Sequence, residues 1–431
     1  MSRRPPEGPR LNLPAPFRTA RRSVQHTFRA LRIRNYKLFW FGQLASLTGT
    51  WAQEVAQAWL VLKLTNSPLV LGTMVTARFA PTLIFSLFGG VVADRLPKRR
   101  LLFITQSVLL LQALMVGILT WTGAVLLIHL YIAAAVRGLA DSVDRPTRQA
   151  FVVELVGPEE LANAVPLNST GFNVARIIGP AMGGAIVATL GIAACYFINA
   201  ASFFFVLVSI WMMRPQDFHL GQRLPKGNVL RQVAEGLRYS VTTPDVALVL
   251  LLVLMLGTFG YNFPVVLPLI AKFTLKTGPV GLGLLLTSQG VGSLVAALEM
   301  AYRGRASRRT LFAGAAAFSV VLFLVAASPT MWVTIPLMVL LGYASITFMA
   351  TANTLLQLVS PPELRGRVMS LWALLFAGTT PIGSMIIGAL SERYSVRSAV
   401  EGMALLCGLG VVMALVYLKR VQGARTVEAG A

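Results

Sequence analysis

The chain has 431 residues, of which 55% are hydrophobic and 13% charged. A soluble domain carries about a quarter charged residues, and no soluble interior could hide this much Leu, Val and Phe, so lipid is the expected solvent. The formal charge of +22 would suit nucleic acid if it lay in stripes on a soluble face; it sits instead in clusters at the ends of apolar runs, a positive-inside pattern that argues against a nucleic-acid partner.

Residues 1–37 read as a Pro- and Arg-rich tail, and no removable signal peptide is expected, since no short apolar stretch with a small-residue cleavage site occurs there. Phe17, Val24, Phe28 and Leu31 would share one helical face, so the tail reads either as an interfacial helix on anionic headgroups or as a disordered basic tail. A spanning helix needs about 20 mostly apolar residues. Twelve such runs follow, at 38–62, 68–93, 101–122, 124–144, 165–190, 192–213, 246–271, 280–302, 310–328, 331–355, 368–390 and 398–418. They divide into a first bundle, 38–213, and a second, 246–418, joined by a polar linker, 214–245, and followed by a tail, 419–431. Within the linker, Val229, Leu230, Val233 and Leu237 are spaced as a surface helix. The fold class expected is therefore all-α, with twelve transmembrane helices in two pseudo-symmetric six-helix bundles.

The tail and the even-numbered loops carry most of the Arg and Lys, whereas the opposite side has Lys63, Lys272, Lys276, Arg393 and Arg397. Both termini are expected in the cytoplasm of a cell (inner) membrane, which an even number of spans requires. The halves repeat each other weakly: VGPEELANAV at 156–165 returns as VSPPELRGRV at 359–368, and RLPKRRLL at 95–102 as GRASRRTL at 304–311. Duplicated six-helix halves with a site between them are one plan for alternating access.

The sharpest motif runs from Gly90 through Asp94, Arg95, Pro97, Lys98, Arg99 and Arg100, at the cytoplasmic end of the second span. Its basic residues could pair with acids of the other bundle when that side closes, or could simply set topology. The string resembles the signature loop of the major facilitator superfamily, with Pro97 in place of that loop's second glycine. Arg137 followed by Gly138, and Gly179, Pro180, Gly183 and Gly184 in the fifth span, are similar to further elements of the family. RNYKLFWFGQLASLTGTWAQ, DRPTRQAFVVELVGPEELANAVPLNS and PPELRGRVMSLWALLFAGTTPIGS look closest to the branch containing the enterobactin exporter. The resemblance covers residue 32 to about 418. It implies the twelve-helix fold and export of a small solute driven by a proton or other ion gradient. Independently of family, Gly179 to Gly184 read as a hinge or as ordinary close packing.

Ionisable residues within spans usually face a cavity or a partner. Glu54 and Arg78 fall at similar depth, so they form an ion pair, or Glu54 is a protonatable coupling group. Gln43, Ser46, Thr50 and Gln57 continue the Glu54 face as a cavity stripe. Asp141 lies one turn from Arg137 as its neutralising partner, and Asn173 shares a face with Arg176. The second half offers Tyr261, Asn262, Phe263, Gln289, Asn353 and Gln357. These residues predict a cavity basic on one side and aromatic on the other, suited to an amphipathic or anionic solute, siderophore- or drug-like. The first half would carry coupling and the second chiefly shape the pocket. Glu299 beside Arg303 reads as a latch partner.

Cys195 and Cys407 read as inert core thiols, without disulfide or metal spacing. His26, His129 and His219 form no zinc pattern, and neither a GxSxG elbow nor a GxxxxGK[ST] loop occurs, so neither enzyme nor ATP-driven pump is expected, and no cofactor or metal. The alternatives left open are a gradient-driven importer of a small metabolite and a non-transporting membrane receptor or scaffold. A monomer in the lipid bilayer is expected.

Overall fold

The computed structural model describes residues 28–219, 237–303 and 306–430, with the backbone alone for 86–88, 91, 94, 377 and 421–430. In hydrocarbon every backbone polar group must be paired internally, so the apolar runs become helices. Ten helices among the described residues are long and apolar enough to cross a membrane. One of them, Leu127–Thr189, is two arms meeting at Gly157 (φ 71°, ψ 173°), a conformation open to glycine at little cost. The more polar Arg34–Thr65 falls outside those ten. Splitting the one and adding the other gives the twelve segments expected.

We number them α1 (Arg34–Thr65), α2 (Pro68–Arg95), α3 (Lys98–Trp121), α4 and α5 (127–156 and 158–189), α6 (Ile192–Trp211), α7 (Pro244–Phe259), α8 (Gly278–Arg303), α9 (Arg308–Ala327), α10 (Met331–Val359), α11 (Pro362–Arg393) and α12 (Val396–Gly430). Asn66, in the left-handed region (φ 52°), turns α1 into α2, where the Ser67 hydroxyl accepts from the Val70 N–H and Pro68 opens the helix. The Asn66 turn and the Pro97 turn mark opposite ends of the molecule.

Two regions depart from the expected boundaries. The expected loop between the fourth and fifth spans is helical up to Gly157, because Phe151, Val152, Leu155 and Val156 are buried against α1 and α3. The seventh span breaks at Gly260–Asn262 and resumes as Phe263–Leu269 and a π-helical turn, Ile270–Thr274. There the Tyr261 ring stacks on Phe318, with centroids 4.9 Å apart, and the Phe318 ring fills the space a Gly260 side chain would occupy. Phe28–Arg32 is a turn docked on α5, with Arg29 paired to Glu160 at 2.7 Å and the Ala30 N–H on Asn163 at 3.0 Å. Phe17 and Val24 of the expected interfacial helix, Val229, Leu230 and Val233 of the linker helix, and Arg305 lie outside the described residues.

Within the first bundle α1 packs on α5 and α6, and α2 and α3 on α4; within the second α8 packs on α10, and α7 on α11 and α12. Between bundles the main seams are α2 on α11 and α5 on α8. The repeat at 156–165 and 359–368 maps α5 onto α11, and α2 onto α8. Each seam is therefore the image of the other, which is the signature of a pseudo-two-fold axis.

Candidate central cavity

The seams hold the bundles together from the Asn66 end to mid-height. Ser67 and the Leu69 N–H donate to Glu392, Thr76 donates to the Pro381 carbonyl at 2.9 Å, and Thr287 to the Ile177 carbonyl at 2.9 Å. Towards the Pro97 end the bundles part around a cavity of about 670 Å³. Val61, Leu71, Met74 and Leu282, all almost fully buried, floor it on the Asn66 side. At its mouth lie Arg145 and Gln149, both exposed.

Glycine positions the charged wall. Gly138 packs directly on the Arg78 carbonyl, and the Thr82 hydroxyl donates to the Gly138 carbonyl at 2.8 Å, so α2 and α4 approach backbone to backbone. That contact brings Arg78 and Arg137 to one place, opposite Glu54 on α1. Glu54 Oε1 receives both, from Arg78 Nη1 at 2.8 Å and Arg137 Nη2 at 2.9 Å. Arg78 Nη2 also reaches Asp141 Oδ2 at 3.7 Å, and Arg145 Nη2 reaches the same oxygen at 3.5 Å. Asp141 thus serves Arg78 and Arg145, a correction to its expected pairing with Arg137. The α1 helix turns its carboxylate towards Arg137, while Asp141 one turn further along α4 lies nearer the mouth.

Gln43, Ser46, Thr50 and Gln57 line the cavity beside Glu54, as their spacing on one helical face requires. Arg176 and Gln289 line it as well, but Asn173 does not. Its amide donates to the Ser169 carbonyl of its own helix, and Asn168 takes the lining position. Tyr261, Asn262, Asn353 and Gln357 also stand away from it. Tyr261 donates to the Ser345 carbonyl, Asn262 is fully buried and donates to the Thr258 carbonyl, and Gln357 donates to Asn353. The helix break at residues 260–262 turns Asn262 into the second bundle's core and packs the half-buried Tyr261 against it. The wall is therefore mostly first-half, including the aromatic groups Phe39, Trp40, Trp51, Phe79, Phe172 and Phe203; the second half adds Phe263, Pro264, Pro268, Leu282, Leu286 and Gln289. The expectation that the second half chiefly shapes the pocket is reversed.

In the Pro97 turn, Gly90 is uncrowded, and Gly89 is the residue that packs on the Ser142 carbonyl. Lys98 pairs with Glu154 at 2.9 Å, and Arg99 donates to the Ile210 and Trp211 carbonyls at the C-terminus of α6, where a cation is favoured. Arg95 and Arg100 are exposed, and the Asp94 side chain lies outside the described residues. Lys98 and Arg99 thus bind first-half partners, not the other bundle. Glu299 pairs with Arg303 and receives the Tyr343 hydroxyl. Gly179 and Gly183 sit on Trp51 and Ala52 of α1, and Gly184 and the Pro180 carbonyl face Pro279 and Gly283 of α8. The Gly-Pro segment is thus a three-helix seam.

One group escaped the sequence reading. Asp144, almost fully buried, accepts from Thr105 at 2.7 Å and Gln106 at 2.8 Å and pairs with Arg148. Its signal was the i, i+4 spacing from Asp144 to Arg148, on the Asp141 face of α4.

The twelve helices, the two exchanged seams and the cavity between them agree with known proteins. Residues 25–429 match the profile of a family described as transmembrane secretion effectors. The chain belongs to that family. Among relatives, the multidrug efflux pump Tap of Mycolicibacterium fortuitum is 27% identical over 89% of this chain and 96% of its own. The enterobactin exporter EntS of Shigella boydii is 23% identical over 83% of this chain and 86% of its own. A crystal structure of a POT family transporter in complex with a thioalcohol-conjugated peptide superposes with a TM-score of 0.73, at 10% identity, over 90% of this chain and 96% of the other, a likeness of fold. This secretion effector is thus a multi-pass major facilitator transporter and not an enzyme, and its relatives support an exporter role.

Proposed function

We propose that this transporter is a proton-coupled exporter of a small amphipathic or anionic solute, siderophore- or drug-like, working by alternating access as a monomer in the cell (inner) membrane. The Lys and Arg around the Pro97 end favour placing that end, and both termini, in the cytoplasm. The cavity then stands open inward, between bundles at 38–213 and 246–418. Named efflux and siderophore relatives support the direction.

The single observation carrying the coupling is Glu54 Oε1, shared between Arg78 and Arg137 in the cavity wall. Protonating Glu54 removes the counter-charge of two arginines at once. Protonation therefore changes the charge that the cavity presents to a solute, the linkage that coupling to a proton gradient needs. Gradient-driven export from proteoliposomes containing Glu54→Gln tests this. We expect loss of pH-driven accumulation with solute counterflow retained; undiminished pH-driven export by Glu54→Gln refutes the coupling role.

A further inference from the structure

Five arginines and three carboxylates line the cavity. Four of the arginines have acids: Arg78 and Arg137 share Glu54, Arg145 has Asp141, and Arg148 has Asp144. Arg176, on α5, has no ion pair among the described residues. A charge at mid-bilayer costs roughly 2.5–3.5 kcal/mol on insertion scales. Four arginines offset that cost inside the protein, and one is left to be satisfied from the cavity.

Across the α5–α8 seam the same cavity holds a second unsatisfied donor. Gln289 on α8 lines the same cavity, is only 3% exposed, and its amide Nε2 has no acceptor. Gly290, beside it, packs on the Arg176 carbonyl and Ile177, which fixes α8 against α5 at this height. A buried amide donor left unpaired costs about 1–3 kcal/mol, so its persistence in the wall of a cavity that also holds an unpaired cation points to an acceptor brought by a ligand. One turn before Arg176 the ring of Phe172 meets that of Trp51 edge-on, with centroids 6.1 Å apart, and both line the cavity.

We infer that Arg176 and Gln289 form an oxyanion subsite of the cavity, which takes the carboxylate of an aromatic acid whose ring lies against Phe172 and Trp51. This deepens the proposed function and rests on it for the ligand being a transported solute. The acid accepts from a first-half guanidinium and a second-half amide at once, so bound solute ties α5 to α8 across the seam. The Glu54 cluster stays available for the proton.

Calorimetric titration of the full chain in detergent, with 1-naphthoate and its uncharged isostere 1-naphthamide, tests the subsite. In wild type naphthoate binds the tighter. Arg176→Gln weakens naphthoate about tenfold or more, the scale of a charge-assisted hydrogen bond, and leaves naphthamide within about twofold. Arg176→Lys recovers part of the loss, and Gln289→Leu also weakens naphthoate selectively. Absence of discrimination in wild type, or unchanged naphthoate affinity in Arg176→Gln, overturns the inference. If Arg176→Gln loses both ligands, Gln289→Leu decides: selective loss of naphthoate supports the subsite, and equal losses overturn it. The titration uses no gradient, so a wild-type chain that discriminates the ligands but exports nothing under a pH gradient sinks the transport reading alone.

Discussion

At the Asn66 end, the outer end in the proposed orientation, the bundles meet backbone to backbone; at the Pro97 end they part around charged walls. The outer seal is made of small residues: Gly72 lies on the Ser384 carbonyl and near Gly388, while Gly283 and Gly184 meet on the α5–α8 side. The repeat relates these two contacts, so the seal is applied twice. The inner end is different in kind. Among the described residues its ion pairs stay within one bundle or the other, as in Asp144 with Arg148, Lys98 with Glu154 and Asp245 with Arg308. Opening the mouth therefore strands none of these charges, whereas opening the outer end gives up shape complementarity. That separation lets one end open without unfolding the other.

The largest expected effect tests the inner side. Asp144→Ala removes the acceptor of Thr105, Gln106 and Arg148 together. Breaking one partner of a buried pair costs about 3–5 kcal/mol. Thermal unfolding in detergent should show a clearly lowered midpoint, while spin labels at Lys63→Cys and Tyr394→Cys, on opposite bundles at the outer end, keep their separation. An unchanged midpoint would mean that the network does not hold the first bundle. Next comes the seal. A side chain at Gly283 would meet the Pro180 carbonyl with its Cβ at 2.5 Å. Overpacking costs typically 1–3 kcal/mol, so Gly283→Leu should shift the conformational equilibrium about 5- to 150-fold towards the outward-open state. The same label pair reads it as a longer distance; an unmoved distance would show that the α5–α8 contact is not part of the seal.

Much of this division was legible in the sequence. Hydropathy alone places all twelve segments, because hydrocarbon permits little else than helix. Glu54 and Arg78 could be matched by depth, since rise per residue is fixed. What could not be read was azimuth. Tyr261 and Asn262 sit at cavity height, yet a three-residue helix break turns Asn262 into the core and Tyr261 against Phe318, and no periodicity carries across such a break. Asp141 and Asp144 lie three residues apart on one helix, and which arginine each meets depends on how closely Gly138 lets α2 approach. The cationic turn likewise hid its partners, because Arg99 binds main-chain carbonyls that have no sequence signature.

The smallest effect concerns charge at the seal. The α1–α2 turn is clasped by the second bundle at both helix ends. The Lys272 ammonium donates to the Leu62 carbonyl at the C-terminus of α1, at 2.5 Å. Glu392 accepts from the Ser67 hydroxyl at 2.9 Å and the Leu69 N–H at 3.2 Å, at the N-terminus of α2. Each charge has the sign that its helix end favours, so both helix dipoles hold the outer end shut. A single charge at an exposed helix end is worth about 0.3–1 kcal/mol. Glu392→Gln keeps an acceptor and removes only the charge, so it should favour the outward-open state about two- to fivefold, read by the same label pair. Salt screens exposed charges, so the difference from wild type should shrink as ionic strength rises towards 1 M. A shift that persists undiminished there would assign the effect to shape, and the seal would then be steric throughout. A shift that fades identifies the clasp as the electrostatic part of a closure that glycine packing otherwise dominates.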